Sequence, residues 1–159
     1  FVPEESVQNE KEKYFTNITK EYYKRYVLVK SIIAGFSVLD KSEKKLFDTI
    51  IKTLKLSIDI DKNMNGIKDI RIILEPESGF FILLDLSKLL GKSYGGFKIR
   101  DDKTLLQFLY TSGNIKLLTG KAFCWSNRNQ LVVRTTTALE YDSLVDSYLR
   151  LKSSIESLV

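Results

Sequence analysis

A chain of 159 residues has room for one compact domain and too little for two ordinary ones. Its 43% hydrophobic and 28% charged residues give the balance of a folded globular protein, not a disordered one. Histidine is absent, which excludes a histidine general base, a histidine-activated serine or cysteine, and any histidine metal site within the chain.

The single cysteine, Cys124, has no internal disulfide partner, so a reducing compartment and a cytoplasmic location are expected. The opening "FVPEESVQNEKEKYF" is acidic and polar, unlike a signal peptide, and it lacks an initial methionine. The expectation is a processed product or a piece of a longer protein. Apolar runs such as "FFILLDL" and "YVLVKSIIAGF" fall short of a membrane span, so no membrane partner is expected. The formal charge of +5 invites a nucleic-acid reading. Lysines interleaved with acids ("NEKEK", "DKSEKK", "IRDDK") instead favour solvated faces.

Taken in chain order, "PEESVQNEKEKYFTNI" reads as a helix with a proline and acids at its start. Thr19 is placed to cap a second helix, "KEYYKRYVLVKSIIAG", with Gly35 as its stop. A third helix, "SEKKLFDTIIKTLKLSI", carries Leu46, Ile50, Leu54 and Ile58 at intervals of four, predicting a buried stripe widened by Phe47, Ile51 and Leu56. "IRIILEP" and "GFFILLDL" read as adjacent strands joined by a tight connection. "GKSYGGFK" lacks phosphate-loop spacing and reads as a flexible connection. "DDKTLLQFLYTSG" is a helix with acids at its start and Gly113 at its end. Two strands follow, "NIKLLTG" and "QLVVRTTT". The last helix, "EYDSLVDSYLRLKSSIESL", has Leu144, Tyr148, Leu151, Ile155 and Leu158 on one face. The expected fold is an α/β (α+β) sandwich: a small, mostly antiparallel sheet covered on one face by helices.

Few constellations carry chemistry. "DKNMNGIKD" places Asp61, Asn63, Asn65 and Gly66 as a calcium loop would. The twelfth position, which should be a bidentate carboxylate, is Ile72, and the eighth is Lys68, so an Asn-Gly turn is the expected role. "NIT" at Asn17 matches a glycosylation acceptor without any sign of secretion. Cys124 has Lys121 and Arg128 nearby but no base, and is expected to be a small, semi-buried residue. Arg134 stands in the middle of the strand "QLVVRTTT". An arginine there either pairs with a neighbour on the solvent face or presents its planar fork to an anion.

The segments "EPESGFFILLDLSKLLG", "SGNIKLLTGKAF" and "QLVVRTTTALEYDSLVDSYLRLKSSIESL", in this order, resemble the C-terminal, small domain of fold-type I pyridoxal-phosphate enzymes of the class I/II aminotransferases. Pro76, Ser78 and Gly79 precede an apolar strand that ends in an acid, as in that family. "LLTGKAF" is similar to its strand, tight loop and phenylalanine, and "YYKRYVLVKSII" to its long helix, with Arg25 at a recurring basic position. The likeness covers roughly residues 15–159. Departures are a longer segment from Ala34 to Glu75 with an extra helix, Thr119 where proline is common, and "CWSNRNQ" without the usual glycines.

The resemblance implies that Arg134 binds the substrate α-carboxylate. It implies no catalytic, cofactor-binding or metal-binding residue in this chain. The lysine that holds pyridoxal 5′-phosphate, its aspartate partner and the phosphate cup would belong to a preceding large domain. The cofactor would bind the full-length parent and not this chain alone. Implied partners are that large domain, an amino-acid or 2-oxo-acid substrate and a second copy of the parent. Residues 1–159 are expected to be a single domain, with helices leading in over 1–35 and the helix, sheet and helices of the small domain over 36–159. Two rival readings are a non-catalytic regulatory or sensor domain with an aminotransferase-like fold, and a basic nucleic-acid-binding module. A lysine and pyridine-partner aspartate upstream would favour the enzyme over the sensor, and salt-dependent retention on a DNA column would favour the third reading.

Overall fold

The computed structural model describes residues 4–77, 79–125, 127 and 129–159, so Pro3, Ser78 and Arg128 lie outside the described residues. Its architecture is α+β. Strands β1 (Arg71–Leu74), β2 (Phe81–Asp85), β5 (Leu118–Thr119) and β6 (Val132–Thr136) form one sheet in the order β1-β2-β6-β5. Every pairing in it is antiparallel. Side chains alternate across a strand, so the register fixes which residues share a face. Leu83 lies opposite Arg134, which in turn lies opposite Leu118. Ile82, Leu84 and Val133 are fully buried against helices. Phe81, Leu83, Asp85 and Arg134 therefore look out from the other face.

The helices are α1 (Glu4–Ile33), α2 (Lys41–Leu54), α3 (Asp102–Gly113) and α4 (Tyr141–Glu156). The expected pair of N-terminal helices is one continuous helix of 30 residues. No glycine or proline interrupts it, and Thr19 costs too little within a helix to break it. Its first half is largely exposed. Its second half is buried on two sides: Tyr26, Val29, Ile32 and Ile33 join the core over the sheet, while Val27 and Leu28 join a second cluster with Phe47, Ile50 and Val145. Double-sided burial explains the apolar run "YVLV", which no single helical stripe would produce.

α2 packs on the side of α1 away from the sheet. Asp40 and Glu43 close a capping box at its start. The stripe expected from Leu46, Ile50, Leu54 and Ile58 is corrected. Leu54 is 43% exposed, and the buried face is Glu43, Phe47 and Ile50. The helix ends at Leu54, so Ile58 loses the phase, and Glu43 is drawn inward to Lys30 at 2.8 Å. Burial is the largest influence on Lys30 and opposes its charge, but hydrogen bonding and attraction to Glu43 and Glu75 together outweigh it and raise the lysine pKa.

The calcium-like loop is a structural latch. Asn63 is buried, its amide donates to the Asp59 carbonyl at 2.7 Å, and its Oδ1 accepts from the Lys152 ammonium of α4 at 2.9 Å. Lys152 also donates to the Lys62 carbonyl. The oxygen that a calcium loop would turn toward a metal thus faces a protein cation. Lys152→Ala would leave both acceptors without this partner, the Asn63 oxygen while buried. A loss of about 2–4 kcal/mol is expected from breaking one side of a buried charged network, read as a lowered urea midpoint.

α3 begins with Asp101 and Thr104 capping each other and ends at Gly113 as expected, although the left-handed C-cap is Asn114. Gly113 is needed for a different reason: a Cβ there would sit 2.4 Å from Ser154 Oγ of α4. "GKSYGGFK" is not a flexible connection. It forms a hairpin, β3 (Ser93–Tyr94) with β4 (Phe97–Lys98), whose turn residues Gly95 and Gly96 both have positive φ. The predicted stripe of Leu144, Tyr148, Leu151 and Ile155 in α4 is buried, as is Leu158, which lies just past the end of the helix at Glu156.

Candidate functional site

Arg134 emerges on the open face of the sheet, partly buried, and takes part in no ion pair or hydrogen bond among the described residues. Its guanidinium carbon lies over the Phe81 ring at 4.4 Å and near the Phe123 ring at 5.9 Å. Phe81 comes from β2, two residues before Leu83, the pairing partner of Arg134. Phe123 comes from the short 3-10 turn Gly120–Phe123 that follows β5. The rings of Phe80 and Phe81 are 4.4 Å apart, and Phe80 meets Tyr22 of α1 at 5.3 Å. A chain of aromatic contacts therefore runs from the long helix to the guanidinium.

The acid sharing that face is already committed. Asp85 accepts from Arg71 and from the hydroxyl and backbone N–H of Ser87. Burial works to raise its pKa, but the Arg71 and Ser87 hydrogen bonds outweigh that and hold the carboxyl below its usual value of 3.8. Such a group contributes stability above its unfolded value and loses the contribution as pH falls through the lower folded value. Asp85→Asn is therefore expected to cost about 1–3 kcal/mol of stability at pH 7, the range for hydrogen bonds to a charged group, read as a lower urea midpoint. The gap between variant and native should narrow below about pH 4. Urea titrations at the two pH values read this directly.

The C-terminal end of the arginine strand and the connection after it are held from α4 and α1. Tyr148 of α4 donates to the Thr136 carbonyl at 3.1 Å and shares a 2.8 Å hydrogen bond with the Thr135 hydroxyl. Burial pushes the Tyr148 pKa upward, so the phenol stays protonated. Arg25 of α1 donates to the Leu139 carbonyl at 2.9 Å and lies over the Tyr141 ring at 5.1 Å. The Tyr141 hydroxyl donates to Glu21 at 2.7 Å, and burial followed by this bond pushes its pKa up to about 12. Arg25 thus clamps the connection that follows the arginine strand.

Sequence reasoning singles out Arg134 and Arg25, and marks Asp85 and Phe123 only as the acid and the phenylalanine of the resembling motifs; it gives Phe80 and Phe81 no role at the site. The aromatic pair "FF" is visible in the sequence. Its diagonal placement beside Arg134 is not, because a long connection separates β2 from β6 and leaves the register open. Cys124 is corrected from semi-buried to exposed, because it sits at the left-handed end of the 3-10 turn, with φ 62°. Among the described residues no group of three metal-ligating side chains could hold an ion, and no helix is long and apolar enough to cross a membrane.

No family model matches the chain. No curated protein matches it either. Among solved structures it is similar to the aspartate aminotransferase from Rhizobium meliloti, with a TM-score of 0.53 and 19% sequence identity. The match covers 76% of this chain and 28% of that one, so this chain spans well under half the length of the enzyme it resembles. At that identity the likeness shows the fold: a small antiparallel sheet with helices over one face, as in part of an aminotransferase.

Proposed function

We propose that this chain is the small, C-terminal domain of a pyridoxal-phosphate-dependent aminotransferase-like protein, and that Arg134 holds the α-carboxylate of an amino acid or 2-oxo acid. The observation that carries the proposal is a guanidinium with no ion pair or hydrogen bond among the described residues, stacked on aromatic rings in the open face of the sheet. A substrate carboxylate stays charged through such a reaction. A permanently cationic fork suits it, because two parallel hydrogen bonds fix both position and orientation. Holding the reactant in place is a large part of the catalytic advantage in cofactor enzymes.

Exposed apolar side chains support a covering domain. Leu74 is 57% exposed, Leu118 47%, Phe81 44% and Ile73 43%, all on strands of this sheet. The first half of α1 adds the exposed Tyr14–Phe15 pair. A larger domain resting here would bury that apolar surface and bring its own residues over Arg134.

The described residues do not themselves fit the cofactor. Lysines in half-buried or buried positions are committed, Lys30 to Glu43, Lys92 to Asp69, and Lys152 to Lys62 and Asn63. In this reading pyridoxal phosphate binds the larger domain and supplies the electron sink for the amino-group chemistry. This chain supplies carboxylate binding and closure over the substrate. Residues 1–159 act as one unit, with α1 as the link to the larger domain. Arg134→Lys in the full-length protein tests the assignment. A weakened apparent affinity for the amino acid is expected, and an unchanged affinity would remove Arg134 from the role.

A further inference from the structure

We infer that Phe81 and Phe123 are positioning residues for Arg134, an inference that builds on the carboxylate-binding reading above. The guanidinium carbon lies 4.4 Å from one ring centroid and 5.9 Å from the other. Among the nitrogens of Arg134, Nε alone is sealed from solvent without a partner. The terminal nitrogen pair is therefore the edge left for a ligand. A cation over a ring face uses the π surface of the guanidinium and leaves its in-plane N–H groups free. Rings hold the group where an acid would have neutralised it. That choice matters on this face, because the acid available, Asp85, is already held by Arg71 and Ser87.

Phe81 is itself braced. Phe80 meets it at 4.4 Å and Tyr22 meets Phe80 at 5.3 Å, so the long helix sets the ring on which the guanidinium rests. A leucine at position 81 would keep apolar bulk but lose the quadrupole that attracts the cation. A tyrosine would keep both.

The test is an NMR measurement of the arginine Nε–Hε resonances of this chain, labelled with nitrogen-15, at mildly acidic pH and without ligand. In the native chain the Arg134 Hε is expected to be shifted upfield of the exposed arginines by the ring current, and to exchange more slowly with water. Phe81→Leu should move it back toward the other arginines and speed its exchange, and Phe123→Leu should do so to a smaller degree. Phe81→Tyr should retain the native signature. An Arg134 Hε lying among the exposed arginines in the native chain would overturn the inference, as would a signal that neither leucine variant moves. The result is independent of the carboxylate assignment. If that assignment fails, Arg134→Lys leaves amino-acid affinity unchanged while the native chain keeps this signature.

Discussion

Gly66→Ala is expected to lose about 3–5 kcal/mol of stability, a large part of the roughly 5–15 kcal/mol of a typical domain. Gly66 has φ +68°, and a Cβ there would lie 2.3 Å from the Ile33 carbonyl oxygen and 2.4 Å from the Ala34 carbonyl carbon. These are backbone atoms at the C-terminal end of α1, so no side chain can swing aside. Gly35 faces it from the other segment of the contact, where a Cβ would meet the Met64 carbonyl oxygen at 2.5 Å. The close approach lets Ile67 donate to the Ile33 carbonyl at 2.8 Å, while the Phe36 and Ser37 N–H groups donate to the Asn63 and Met64 carbonyls, each at 3.0 Å. Opening this contact would release the loop that carries Asn63 and, with it, the partner of Lys152. Gly95→Ala is the control. Gly95 also has positive φ, at +52°, but no atom lies within 4 Å of the place a methyl group would take. Only the conformational cost of about 1 kcal/mol should appear there. Urea titration of the two variants gives the comparison, and equal losses would contradict the packing account.

Arg134→Lys is expected to weaken amino-acid binding by the full-length protein about 10- to 100-fold, because lysine keeps the charge but loses the two-point fork. Arg134→Gln removes the charge as well and should cost more, in the range of about 2–5 kcal/mol for losing one side of a desolvated charge pair. Stability should move in a different way. Arg134 makes no ion pair or hydrogen bond among the described residues, so neither substitution leaves a protein partner stranded. A change in unfolding free energy within about 1 kcal/mol is expected from urea titration, set by the loss of the ring contacts. Large affinity loss with small stability loss is the pattern of a binding residue. The reverse pattern would mark Arg134 as part of the fold.

Some elements are legible in the sequence and others are concealed, for identifiable reasons. The stripe in α4 and the strand around Arg134 are readable, because those elements bury one face and expose the other. α1 reads as two helices, since a threonine suited to capping sits equally well inside a helix that tertiary contacts extend. The buried face of α2 is hidden because Glu43 is a buried acid paired with Lys30, and hydrophobic periodicity cannot anticipate that. The "GG" hairpin reads as a loose connection, although two adjacent glycines also meet the positive-φ demand of a tight turn. At the site, the arginine is legible from its strand and its resemblance. Its aromatic seat is not, since Phe81, Phe123 and Tyr22 come together only through the sheet register and the docking of α1.

The most direct measurement is a structure of the full-length protein with its cofactor and a bound amino acid or dicarboxylate. The α-carboxylate is expected on the terminal nitrogens of Arg134, with two oxygens at hydrogen-bonding distances of about 2.7–2.9 Å and the guanidinium still resting on Phe81. A carboxylate held by another cation, with Arg134 left stacked and unpartnered, would contradict it.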